Sequence, residues 1–180
     1  MERKVIIVYK SSTGFTKKYA EMIAKELKCP IIDHKTATIE ILSQYELVIF
    51  GSRAHAGRID GYKKAKELFE KSRIKNVVLF VTGATPSTAE NMIEQFWSQN
   101  LAADEMKRIP HFYMPSGLCY EKMSFLDKLM MKAMAGMMKK KKDKTPYEQE
   151  LEQSIASSYD ISSPRFIEPL VEFLKSGGVQ

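Results

Sequence analysis

Val5-Ile6-Ile7-Val8-Tyr9-Lys10-Ser11-Ser12-Thr13-Gly14-Phe15-Thr16 is the stretch on which the fold of this chain turns. Its first five residues are a β-branched run without polar alternation, the pattern of a strand buried on both faces of a sheet. From Thr16 to Lys28, Tyr19, Ala20, Ile23, Ala24 and Leu27 recur at spacings of three and four, a helical stripe. Between strand and helix stand four hydroxyls and one glycine. Such a loop makes an anion site: hydroxyls and backbone N–H groups donate, and the helix dipole favours negative charge. One hydroxyl alone would be a helix cap; four with Gly14 point to phosphate.

The alternation continues outward from there. Pro30-Ile31-Ile32-Asp33 predicts a short strand, placed at an edge by its proline. Leu47-Val48-Ile49-Phe50 predicts a third strand that ends at Gly51-Ser52, and Tyr62 to Lys71 a helix. Asn76–Val81 predicts a fourth strand ending at Thr82-Gly83. A helix capped by Ser87 or Thr88 then runs to about Ser98. His111–Met114 predicts a fifth strand, Ser124–Met138 a helix, and Pro164 opens a last helix to Leu174, with Gly177-Gly178 after its end. Strands alternating with helices imply right-handed βαβ units and a doubly wound parallel sheet. In such sheets ligands bind beyond the carboxyl ends of the strands.

Composition narrows the classes. The 180 residues are 44% hydrophobic and 28% charged, enough apolar material for one core, and no linker or repeat divides them. Two cysteines build no disulfide framework, so a reducing, cytoplasmic setting is expected. The apolar run after Met1-Glu2-Arg3-Lys4 is too short for a signal-peptide core, and no window approaches the roughly 20 apolar residues of a membrane span. Residues 121–144 carry +5 of the net +6, leaving +1 on the other 156. A nucleic-acid binder would spread its charge differently. No His, Cys or carboxylate cluster points to a metal.

Known phosphate loops separate quickly. The G-x-G-x-x-G and G-x-x-x-x-G-K-[ST] patterns are absent. A receiver domain would need acids where Tyr9-Lys10 and Phe50-Gly51 stand, and a cysteine phosphatase would need Cys and Arg in the first loop. Ile7 to Thr16, followed by Ala20, resembles the flavodoxin signature, with Met22 where that pattern prefers Leu, Ile or Val. Phe50-Gly51-Ser52-Arg53-Ala54-His55-Ala56-Gly57-Arg58 is similar to the third-strand loop of the branch that includes bacterial menaquinone-dependent protoporphyrinogen IX dehydrogenase. Ser124–Lys132 resembles an aromatic-Asp-basic-apolar segment of that branch, so the likeness covers about residues 3–138.

The resemblance implies a flavodoxin-like three-layer α/β sandwich, its five-stranded parallel sheet ordered 2-1-3-4-5, that binds FMN noncovalently. It implies a phosphate held by Ser11, Ser12, Thr13, Gly14, Phe15 and Thr16. The ring would lie between Ser52, Arg53, Ala54, His55, Ala56 and Gly57 on one side and Thr82, Gly83, Ala84 and Thr85 on the other. Gly57 is placed where a glycine peptide can reorient next to the ring, a φ change that only glycine makes cheaply. Flavodoxins carry acidic residues near the ring; Arg53, His55 and Arg58 here would stabilise its reduced anion and raise the potential.

The expected function is therefore an FMN-dependent oxidoreductase, protoporphyrinogen- or quinone-linked, with a redox partner protein or quinone. A non-enzymatic electron carrier serving a partner reductase is the alternative. Six of the eleven methionines fall between Met123 and Met138, and Lys139–Lys142 follow. On a helical wheel Leu126, Leu129, Met130, Ala133, Met134 and Met137 share one face, expected to pack on the core. With the lysines, Phe125–Lys142 also has the make-up of a surface for anionic membrane, peripheral at the inner face. Residues 139–163 are expected to form a polar excursion from a single domain.

Overall fold

The computed structural model describes residues 4–145, 148–149, 152 and 154–179; the predicted excursion at 139–163 therefore lies partly outside the described residues. Its contacts divide the chain into two compact units, Met1–Ser116 with Ser162–Gln180, and Gly117–Ile161.

In the first unit the strands are β1 (Val5–Tyr9), β2 (Ile31–Asp33), β3 (Leu47–His55), β4 (Arg58–Ile59), β5 (Asn76–Gly83) and β6 (His111–Pro115). The helices are α1 (Phe15–Leu27), α2 (Ile39–Leu42), α3 (Tyr62–Lys71), α4 (Glu90–Asn100) and α5 (Ala103–Arg108), and later in the chain α7 (Glu168–Lys175). Five strands pair in parallel in the order β2-β1-β3-β5-β6, which is the expected 2-1-3-4-5 arrangement with β2 at the edge.

The continuous apolar runs are explained by the two faces of this sheet. Ile6, Val8, Val48, Phe50, Leu79 and Val81 point to one side, against Phe69 of α3 and Trp97 of α4. Ile7, Leu47, Ile49, Val78 and Phe80 point to the other, against Tyr19 and Ile23 of α1 and Leu170 and Val171 of α7. A strand covered on both faces needs no polar positions, so the period-two signal disappears. The last helix opens with a 3₁₀ turn at Pro164–Phe166 and becomes α-helical only at Glu168. It closes as a Schellman motif: Gly177, at φ 81°, donates to the Leu174 carbonyl, and Gly178 to that of Phe173.

Three sequence expectations change. The third strand does not end at Gly51-Ser52; it runs on to His55 because β4 pairs antiparallel with its end, Ala54 opposite Ile59 and His55 opposite Arg58. The predicted loop is thus a hairpin, closed by Ala56 and Gly57 at φ 48° and 76°. Two positive φ values are the mark of a type I′ turn. The fourth helix has Ala89 at its N-cap with no side-chain bond, so neither Ser87 nor Thr88 caps it, and it extends to Asn100. The short helices α2 and α5 are additions; Glu105 closes the start of α5 by accepting from the Ala102 N–H at 3.0 Å.

An alanine in the left-handed region costs about 1–2 kcal/mol. Replacing Ala56 with asparagine, the preferred residue at the first position of this turn, should raise stability by about 1 kcal/mol in urea titration. Lower stability would show that the Ala56 methyl is needed where it stands.

The second unit holds a two-stranded antiparallel pair, β7 (Gly117–Leu118) with β8 (Tyr159–Asp160), a 3₁₀ turn at Tyr120–Lys122, and α6 (Phe125–Lys140). Ser124 caps α6, its hydroxyl accepting from the Asp127 N–H at 3.1 Å. The buried Ile155 takes the Tyr120 hydroxyl on its carbonyl, and Ser158 donates to Glu121 at 2.8 Å. Of the face expected to pack on the core, Leu126, Leu129, Met130, Ala133 and Met137 are exposed and only Met134 is half-buried. Asp127, Met131, Met134 and Met138 lie on the more buried side. An apolar stripe records which residues share a face, not which way the face looks.

Candidate functional site at the carboxyl ends of the strands

The Lys10 N–H donates to the Gly51 carbonyl at 2.8 Å, carrying the β1–β3 ladder one step past β1. The chain then turns through Ser11-Ser12-Thr13 into α1. Gly14 is the N-cap, at φ 100°, and supplies no side-chain cap. Its own N–H donates to the Ser11 hydroxyl at 3.2 Å, and its carbonyl accepts the first helical bond, from Lys18 at 2.9 Å. The N–H groups of the first helical turn therefore have no intrahelical partner. Ser11 still has its hydroxyl proton to give. Ser12 is exposed, and Thr13 and Phe15 are half-buried.

Thr16 is placed differently from its neighbours. It is buried, and its hydroxyl meets that of Thr82, at the end of β5, at 2.9 Å. The Thr82 hydroxyl is also 3.5 Å from the Ser52 carbonyl. This contact ties the start of α1 to the ends of β5 and β3, so the first, third and fourth predicted loops meet at one place.

The hairpin after β3 is held at several points. Ser52 is fully buried and donates to the Asp60 carbonyl at 2.5 Å, and the Asp60 N–H donates to the Arg53 carbonyl at 3.0 Å. Asn100, the last residue of α4, accepts from the Ile59 N–H at 2.9 Å. Its amide donates to the carbonyls of Gly57 at 2.9 Å and Phe96 at 2.8 Å. The Gly57 carbonyl, expected to face a ring, is thus bonded to Asn100. Arg58 extends to the Gln99 carbonyl at 2.8 Å and is exposed. Arg53 turns inward, its Nε 3.3 Å from Asp60 Oδ2. His55 sits opposite Arg58 at the tip of the ladder, and Ala54 packs half-buried on the core.

After β5, Gly83 has no room for a side chain: a Cβ there would lie 2.1 Å from the Tyr113 hydroxyl and 3.3 Å from the Ala54 Cβ. Tyr113 of β6 reaches across to accept from the Thr85 N–H at 3.3 Å. Ala84 and Thr85 are half-buried beside it.

Four residues of this region went unread in the sequence. Lys10 reaches Asp60 Oδ1 at 2.5 Å, so one carboxylate is shared by Lys10 and Arg53. Burial pushes the Asp60 carboxyl up, but the Lys10 ammonium and then the Arg53 guanidinium hold it below its usual range. Asn100 and Tyr113 complete the set. Asp60 follows the hairpin and Lys10 follows β1, 50 residues apart, and no local pattern marks such a pair. Burial pushes the Cys29 thiol up to about 11, leaving it protonated at neutral pH. Among the described residues no cluster of ligating side chains forms a metal site.

The site is a hydroxyl- and amide-lined cradle at an uncapped helix start, walled by a pinned hairpin and crossed by a tyrosine. A family model described as flavodoxin domain matches residues 6–145. Similar solved structures include a flavodoxin from the domain Archaea, at 13% identity over 85% of this chain and 99% of that one, TM-score 0.40. A WrbA-like flavodoxin from Agrobacterium tumefaciens matches at 15% identity over 86% and 96%, TM-score 0.42. A flavoprotein in complex with FMN from Lactobacillus acidophilus matches at 18% identity over 63% and 92%, TM-score 0.42. No curated protein sequence matches the chain. With well over half of its residues matched by the family model, this chain belongs to the flavodoxin domain family.

Proposed function

We propose that this protein is an FMN-binding electron-transfer flavoprotein, and that it works as an oxidoreductase of the protoporphyrinogen-dehydrogenase-like branch with a quinone as acceptor. The observation that carries the cofactor is the donor set at the start of α1. Gly14 caps without a side chain, the first-turn N–H groups have no intrahelical partner, the Ser11 hydroxyl stands beside them, and Ser12 and Thr13 belong to the same loop. Donors without a carboxylate among them suit a phosphate dianion. Bound FMN supplies one- or two-electron chemistry.

The chain's own residues do the rest. Ser11, Ser12, Thr13 and the amides from Phe15 onward would hold the phosphate, while Thr16 fixes the helix start to Thr82. The Ser52–Gly57 hairpin and the Thr82–Thr85 segment would bound the ring, with Asn100 keeping the hairpin tip in place. Lys10 and Arg53 place two cations beside Asp60 at the ends of these strands, and positive charge near the ring would favour its reduced, anionic form and a raised potential. That supports delivery to a quinone. The net reaction per turn removes two electrons and two protons from the porphyrinogen and places them on the quinone. The carrier reading has one observation in its favour: the Asp60 carboxyl is held ionised by two cations and is a poor proton donor.

Titrating apo-protein with FMN tests the cradle. A hydrogen bond to a charged group is worth about 1.5–3 kcal/mol, so Ser11→Ala with Thr13→Val should weaken FMN at least about tenfold. Unchanged affinity removes the phosphate assignment. Anaerobic assay of porphyrinogen oxidation with a quinone then separates enzyme from carrier: turnover by the isolated protein supports the first, and flavin reduction only by an added reductase supports the second.

A further inference from the structure

We propose that α6 is an interfacial helix that seats this protein on an anionic lipid bilayer. Its exposed side presents Phe125, Leu126, Leu129, Met130 and Met137, and Phe125, Leu126 and Met137 are 79%, 74% and 67% exposed. These residues span about 18 Å of helix at 1.5 Å per residue. An apolar stripe of this length left in water marks a surface that meets something else.

Charge selects the occupant. The one acidic residue of α6, Asp127, is buried and lies in the capped first turn, so the exposed side carries no negative charge. Lys128, Lys132 and Lys139, at spacings of four and seven, run along one flank of the stripe, and Lys140 and Lys142 stand at its end. Lys132, Lys139, Lys140 and Lys142 are exposed. Lys141 and Lys144 are held at 2.6 Å by Glu148 and Glu152 and leave the count. An apolar centre with a cationic border is the pattern of a helix lying in the headgroup layer. A second copy fits poorly, since pairing two such stripes would bring two rows of lysines together with no acid between them. Spanning is excluded for α6: it has 16 residues, and no described helix is long and apolar enough to cross a membrane. The inference stands apart from the cofactor, because no residue of α6 belongs to the cradle.

The experiment is sedimentation of the full-length protein with vesicles of phosphatidylcholine alone or with a third phosphatidylglycerol, at low and high salt. Binding to the anionic vesicles at low salt, and release at high salt, is expected. Changing Lys132, Lys139, Lys140 and Lys142 together to Gln should weaken binding at least about tenfold. Leu126→Glu with Leu129→Glu should do the same through the stripe, and as both leucines are exposed the fold is kept, checked by circular dichroism. Phe125→Trp reads insertion: its emission should shift to the blue with anionic vesicles. No binding at low salt overturns the proposal. So does a tryptophan that stays in water, or binding that either variant leaves intact. Capture of a polyanionic protein without any vesicle binding overturns it in favour of an acidic protein partner.

Discussion

Replacing Gly51 with alanine should destabilise the protein by about 3 kcal/mol or more, the upper range for forcing a methyl into a packed core. Gly51 pairs with Phe80 across β3 and β5, and the Phe80 ring lies directly over it. A Cβ at Gly51 would fall 2.0 Å from Phe80 Cζ, 2.4 Å from Cε1 and 2.7 Å from Cε2. Phe80 is fully buried among Ile7, Tyr19, Ile49 and Met114, so its ring has nowhere to go. The remedy identifies the cause. Phe80→Leu alone leaves a cavity and should cost about 1–2 kcal/mol, yet combined with Gly51→Ala it should recover part of the loss. Urea titration of the four proteins closes the cycle. Strict additivity would mean that the ring is not the obstacle.

The strands were legible where composition and burial say the same thing. Val5–Val8 and Val77–Val81 are apolar throughout because both faces of the sheet are covered, and a run of that kind has few other fates. The extension of β3 was not legible. Ser52-Arg53-Ala54-His55 has no strand character; it is extended because Arg58-Ile59 returns to pair with it and Asn100 holds the turn from another helix. The hydroxyl loop was readable because all its members are within six residues. Thr82 as the partner of Thr16, Tyr113 above Gly83, and Asp60 between Lys10 and Arg53 join distant positions, and only the fold brings them together. For α6 five of the six residues expected to share a core-facing side are exposed together, and Met134 lies with the more buried side. Periodicity contains no information about what lies on either side of a helix.

Asp60→Asn should be the most informative substitution at the site, because it leaves two cations without their shared anion. Lys10 at 2.5 Å and Arg53 at 3.3 Å both lose a charged partner on a side chain only 20% exposed. Removing one member of a partly buried ion-pair cluster should cost about 1–3 kcal/mol at pH 7, between the values for surface and fully buried pairs. The pH dependence carries the signature. The folded-state pKa of Asp60 is depressed, so its contribution is fully present above the unfolded value of about 3.9 and fades as pH falls through the folded value. The stability gap between parent and variant should therefore be constant from about pH 7 to 5 and narrow below pH 4. A second readout separates this electrostatic role from a merely structural one. With FMN bound, a site made more positive by one unit should have a reduction potential higher by tens of millivolts, and Arg53→Gln should move it the other way. Arg58→Gln should leave it unchanged, since that guanidinium is exposed on the Gln99 carbonyl. A stability gap that ignores pH, together with a potential that ignores both Asp60 and Arg53, would show that the cluster only fastens the hairpin and does not tune the flavin.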